Sequence, residues 1–137
     1  MEDTNKTKKT SKSAIRTGYV LTYIAVLFLL FDSITKIIKA DQVVKATAQL
    51  GFPVEDIPVI GTILLVCVII YVIPKTSVFG AILLTGYLGG AVVTNLRISA
   101  PLFSNVLFPV YMGIIVWGGI FLRDGLLRKI IPFRAAE

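Results

Sequence analysis

From Ile57 to Leu122 the chain runs for 66 residues with only two charged side chains, Lys75 and Arg97. A helix on the surface of a water-soluble protein needs a polar face, and this stretch has too few charges to build one. It is long enough for three helical crossings of a bilayer core at roughly 20 residues each. Across the whole chain, charged residues make up 16%, against about 25% in soluble domains. The chain is therefore read as an integral membrane protein, and a soluble enzyme fold is excluded. Its 137 residues allow one small domain.

Four spans are expected. Residues 1–16 are polar, rich in Thr, Ser and Lys, and read as a disordered basic tail. The first apolar run covers about 18–38, some 31 Å of helix at 1.5 Å per residue, enough for a core of about 30 Å. Cleavage after Ala40 as a signal peptide would require a small residue where Ile38 stands, so the run is taken as an uncleaved span. Asp41, Lys45, Gly51, Pro53, Glu55 and Asp56 then leave the membrane, with residues 41–50 able to form a short surface helix. The remaining spans are placed at about 57–73, 78–96 and 102–122. Pro58 falls in a first turn, where its missing N–H costs least, and Pro74 ends the second span. Pro109 is expected to kink the fourth. The fold class is all-α: an antiparallel four-helix bundle spanning residues 17–124, followed by a basic tail, 125–137.

Orientation follows from counting Lys and Arg. With the N-terminus inside, Lys6, Lys8, Lys9, Lys12, Arg16, Lys75, Arg123, Arg128, Lys129 and Arg134 lie on one side, and Lys36, Lys39, Lys45 and Arg97 on the other. This places both termini in the cytoplasm. The net charge of +6 thus reads as topology and attraction to anionic lipid. Neither basic tail interleaves aromatics as a stacking platform for bases would, so nucleic acid is not an expected partner; the lipid bilayer is.

The chain has no histidine and one cysteine, Cys67. Disulfide frameworks, Cys/His metal sites and His general-base chemistry are not expected, and Cys67 reads as a small packing residue.

Polar residues inside spans are costly and therefore informative. Asp32 and Lys36, four apart, share a helix face and can pair. With the topology above they sit toward the outer end of the first span. Asn95 and Arg97 close the third span at that level, Asn105 opens the fourth, and Glu55 precedes the second. Two arrangements are open. In one, Lys36 and Arg97 snorkel to the interface and the acids pair locally. In the other, these residues line an outward-facing polar pocket for an anionic or quinone-like ligand, with Arg97 as the anion contact and Asp32–Lys36 as an orienting pair. A second feature is Gly86-xxx-Gly90 with Gly89, a small-residue face expected to pack helices within the bundle or, failing that, to form a homo-oligomer seam.

Pro74-Lys75-Thr76 followed by Phe79-Gly80-Ala81, and then Gly86-Tyr87-Leu88-Gly89-Gly90-Ala91-Val92-Val93-Thr94-Asn95-Leu96-Arg97, resemble the DoxX-like membrane family. Leu50-Gly51-Phe52-Pro53 and Lys36 fit it too, and the resemblance covers roughly residues 17–124. It implies a small four-span bacterial inner-membrane protein. Relatives include a subunit linked to thiosulfate:quinone oxidoreduction and others associated with membrane redox-stress complexes. The family often has Thr-His-Leu-Arg where this chain has Thr94-Asn95-Leu96-Arg97, and Asn95 cannot titrate near neutrality as a histidine does.

The expected function is that of a non-catalytic binding or accessory subunit, with a polar pocket for quinone, lipid or a partner protein. The alternative is a membrane subunit of a quinone-linked sulfur oxidoreductase. The one cofactor the pocket admits is a quinone, and no metal or catalytic residue is assigned. A transporter is disfavoured, since no repeat or broken-helix pair is evident.

Overall fold

A computed structural model describes residues 12–130. The helices are α1 (Lys12–Ile37), α2 (Asp41–Gln49), α3 (Ile57–Val72), α4 (Ser77–Arg97), α5 (Phe108–Arg123) and α6 (Gly125–Ile130). Short 3-10 turns at Val54–Asp56 and Pro74–Thr76 lead into α3 and α4, and a π-helical turn at Leu102–Val106 precedes α5. No strand occurs among the described residues. Four segments are long and apolar enough to cross a membrane: Lys12–Ile37, Val54–Val72, Pro74–Arg97 and Leu102–Arg123. The chain is a multi-pass membrane protein with an all-α bundle fold.

The four long helices alternate in direction and pack as a square, α1 on α3, α3 on α4, α4 on α5 and α5 back on α1. One end of the square carries both described chain ends, and α2 lies at the other. The core concentrates toward the terminal end, where Tyr71, Leu64, Val68, Ala81, Leu84 and Val116 are buried. The buried Tyr71 hydroxyl donates to the Val116 carbonyl at 2.8 Å and ties α3 to α5. Large apolar side chains such as Leu27, Phe31, Val93 and Ile114 point outward and are largely exposed, as expected where the surrounding solvent is hydrocarbon.

Close helix contact is made by glycines outside the Gly86-xxx-Gly90 spacing. A Cβ on Gly18 would lie 2.8 Å from the Gly119 carbonyl, and one on Gly119 would lie 2.5 Å from Thr22 Oγ1. The α1–α5 crossing is thus glycine on glycine. Gly80 lies against the Tyr71 backbone and closes the α3–α4 hairpin. By contrast, nothing comes within 4 Å of a Cβ built on Gly86, Gly89 or Gly90. The expectation that these three pack helices within the bundle is corrected: equal spacing identifies a shared face, not what that face meets.

The ends of α1 and α4 near α2 share one design. Ala40 N–H donates to the Thr35 carbonyl and Lys39 N–H to that of Lys36; Ala100 and Ser99 do the same to Asn95 and Leu96. Lys39 and Ser99 both take a left-handed φ of 55°. These are Schellman ends, which stop a helix by turning its last carbonyls back onto the chain.

Three expected boundaries move. Helix begins at Lys12, so residues 12–16 are not part of a disordered tail, and residues 1–11 lie outside the described residues. The fourth span is not one kinked helix. Leu107 N–H donates to the Leu102 carbonyl in the π turn, and α5 starts afresh with Pro109 in its first turn. The cause is that Pro109 has no N–H for the Asn105 carbonyl and its ring crowds that carbonyl, so the helix ends and restarts. Finally, residues 125–130 of the expected basic tail form α6, started by Asp124 Oδ1 accepting from Leu126 N–H at 2.9 Å. Residues 131–137 lie outside the described residues.

Candidate functional site

A cavity of about 710 Å³ occupies the α2 half of the square, a volume within the usual range for small-molecule sites. Its α1 wall presents Phe28, Leu29, Asp32 and Lys36, and its α4 wall runs from Gly86 to Asn95. At 1.5 Å per residue that wall is about 14 Å long, near half of a bilayer core. Gly86 and Gly90 stand four apart on it. Their missing side chains leave the space open, so these glycines shape the cavity rather than a helix contact.

The walls change character with depth. Leu29, Leu88 and Met112 make the inner part apolar. Near the α2 end stand Asp32, Lys36, Asn95 and Asn105. The Lys36 ammonium donates to the Asp32 carboxylate one turn away, with the two side chains 13% and 31% exposed, so the pair is largely withdrawn from solvent. Lys36 is placed by Gly61: a Cβ there would lie 2.7 Å from Lys36 Cβ and 2.8 Å from the Ser33 carbonyl, so α3 can approach the α1 face that carries the pair. Asn95 Nδ2 donates to the Ala91 carbonyl at 2.9 Å, and Asn105 Oδ1 accepts from Ser104 Oγ at 2.8 Å. Phe28 and Phe108 meet with ring centroids 5.3 Å apart, between α1 and the start of α5.

α2 lies across the mouth. Val43, Ala46, Thr47 and Leu50 face the cavity with the one-sided spacing of an amphipathic helix. The surface helix expected over 41–50 thus exists, but as a cover for the cavity; the 43/46/47/50 pattern was the signal for that role. Its far end turns at Gly51, whose φ of +92° falls where glycine is the residue of least strain.

Of the residues expected to gather at this level, Asp32, Lys36, Asn95 and Asn105 do meet in one cavity. Arg97 does not. It is exposed, and its Nη2 donates to the Leu50 carbonyl at 2.8 Å, beside a shallow depression of about 190 Å³ formed with Gly51, Phe52, Val93 and Thr94. Arg97 thus lies outside the cavity and acts as a strut between the end of α4 and the end of α2. The carbonyl at the end of α2 is an acceptor in reach, and an exposed guanidinium takes it. Glu55 is likewise exposed, in the turn before α3, and does not line the cavity.

The model of the DoxX-like family matches residues 20–119, most of the chain. This chain belongs to the DoxX-like family. No curated protein and no solved structure matches it. The DoxX-like segment takes in α2, the four polar cavity residues and the two wall glycines, so the whole cavity lies within it.

Proposed function

We propose that this DoxX-like protein is a binding protein of the bacterial inner membrane, with both termini cytoplasmic. In that orientation its cavity lies in the outer half of the bilayer and holds an amphipathic small molecule of quinone or lipid type. The observation that carries this reading is the gradient along the cavity, from Leu29, Leu88 and Met112 to Asp32, Lys36, Asn95 and Asn105. A molecule with an apolar tail and a hydrogen-bonding head matches both ends at once. Its head would sit under α2, and a cavity about one leaflet deep, roughly 14 Å of helix, suits a tail or ring system lying along α4.

The role is binding rather than catalysis: the polar residues suit holding and orienting a head, and none is assigned a chemical step. The test is to extract the detergent-purified protein and identify bound lipids and quinones by mass spectrometry, beside a Gly90→Phe variant. No atom of another helix lies within 4 Å of a Cβ at Gly90, and Gly90 lines the cavity, so the added ring is aimed at the cavity rather than at a helix contact. One amphiphile enriched on the wild type and depleted on the variant is the expected result. Identical extracts from both proteins would sink the proposal.

A further inference from the structure

We infer that the cavity selects an uncharged, acceptor-bearing head group, and that the Asp32–Lys36 pair sets this selectivity. The inference rests on the reading of the cavity as an amphiphile site and adds to it the charge class of the occupant. Asp32 and Lys36 are the charged side chains on the cavity wall. They are bonded to each other, so the wall carries no net charge. Arg97, Lys39 and Lys45 at this level do not line the cavity, and Arg97 donates to the Leu50 carbonyl outside it.

An anionic head bonded to Lys36 would set a second negative charge beside the Asp32 carboxylate; a cationic head bonded to Asp32 would set a second positive charge beside the Lys36 ammonium. Either leaves an uncompensated charge in a largely apolar chamber, which is costly. A neutral head meets no such cost. Among the polar groups that face it, Lys36 and Asn105 have donors to spare. The Lys36 ammonium has three N–H groups and gives one to Asp32. Asn105 uses its Oδ1 to accept from Ser104, and its Nδ2 donates to no acceptor among the described residues. A carbonyl oxygen, as found in a quinone, an ester or an amide, is the natural complement.

Matched probes that differ only in head charge test this: dodecanamide, dodecanesulfonate and dodecylammonium, each added to the purified protein in detergent and counted as adducts by native mass spectrometry. The wild type is expected to retain dodecanamide at least about tenfold better than either ion, a difference of ~1.4 kcal/mol. Asp32→Asn leaves Lys36 uncompensated, and dodecanesulfonate should then gain about tenfold relative to the amide. Lys36→Gln should favour dodecylammonium by a similar factor. A wild type that prefers either ion, or substitutions that leave the order unchanged, would overturn the inference. Gly90→Phe separates the two possible failures. Adducts that survive it, or no adduct at all on the wild type, overturn the cavity as an amphiphile site and the selectivity with it; adducts that it removes, yet that show no order by charge, overturn the selectivity alone.

Discussion

Pro74 has no N–H, so the Ile70 carbonyl four residues earlier loses its helical donor. Thr76 replaces that donor: its Oγ1 donates to the Ile70 carbonyl at 2.8 Å. Ser77 Oγ likewise donates to the Ile73 carbonyl at 3.0 Å, so two hydroxyls finish a helix that a proline cuts short. Thr76→Val keeps the shape and removes the donor, which should cost about 1–3 kcal/mol. Thr76→Ser should be nearly neutral. Cys67 provides the readout, because it is the chain's one cysteine and is buried: its labelling by a fluorogenic maleimide during heating reports unfolding. Equal midpoints for wild type and Thr76→Val would show that the hydroxyl does not carry the turn. This detail is legible in Pro-x-Thr once the proline is known to end a helix. The direction of Arg97 is not. The identity of its acceptor depends on where α2 ends in space, which no local pattern in 94–97 encodes.

Among the helices, glycine has two opposite uses, and sequence spacing separates them poorly. Gly86 and Gly90 form the expected motif, yet they border empty space; Gly18, Gly61, Gly80 and Gly119 follow no such motif, yet they sit where backbones approach. Helix association in a membrane depends on such approaches, so the two groups should respond differently to an added methyl. Gly119→Ala would set its Cβ 2.5 Å from Thr22 Oγ1, and overpacking of this kind costs about 1–3 kcal/mol. Gly89→Ala meets nothing within 4 Å and should stabilise α4 by up to ~1 kcal/mol through helix propensity. Thermal labelling of Cys67 in the two variants should shift in opposite directions; a fall for both would mean that Gly89 is covered in the membrane, by a second copy of the chain or by another protein. The four spans themselves were readable from hydropathy, and Asp32–Lys36 from its spacing of four, because both depend on short-range periodicity. The restart at Phe108 was only half readable: Pro109 marked the site, but whether a helix bends or breaks there depends on the turn at 102–106.

For the molecule as a whole, the cavity acquires its meaning from orientation. The square alone leaves open which leaflet the cavity occupies; the basic residues supply a prediction. Among the described residues the terminal end carries Lys12, Arg16, Lys75, Arg123, Arg128 and Lys129, and Arg123 stacks 4.9 Å from the Tyr19 ring centroid there, the kind of aromatic and cationic anchor found at an interface. The α2 end carries Lys36, Lys39, Lys45 and Arg97, but Lys36 is neutralised by Asp32. By the positive-inside rule the asymmetry predicts the terminal end in the cytoplasm and the cavity in the outer leaflet. In a Cys67→Ser background, single cysteines at Lys45 and Lys75 would report the two ends. A membrane-impermeant maleimide applied to intact spheroplasts should label Lys45→Cys at once and Lys75→Cys only after permeabilisation. The reverse pattern would place the cavity in the cytoplasmic leaflet, and an amphiphile would then enter from the inner side, beneath an α2 that faces the cytosol.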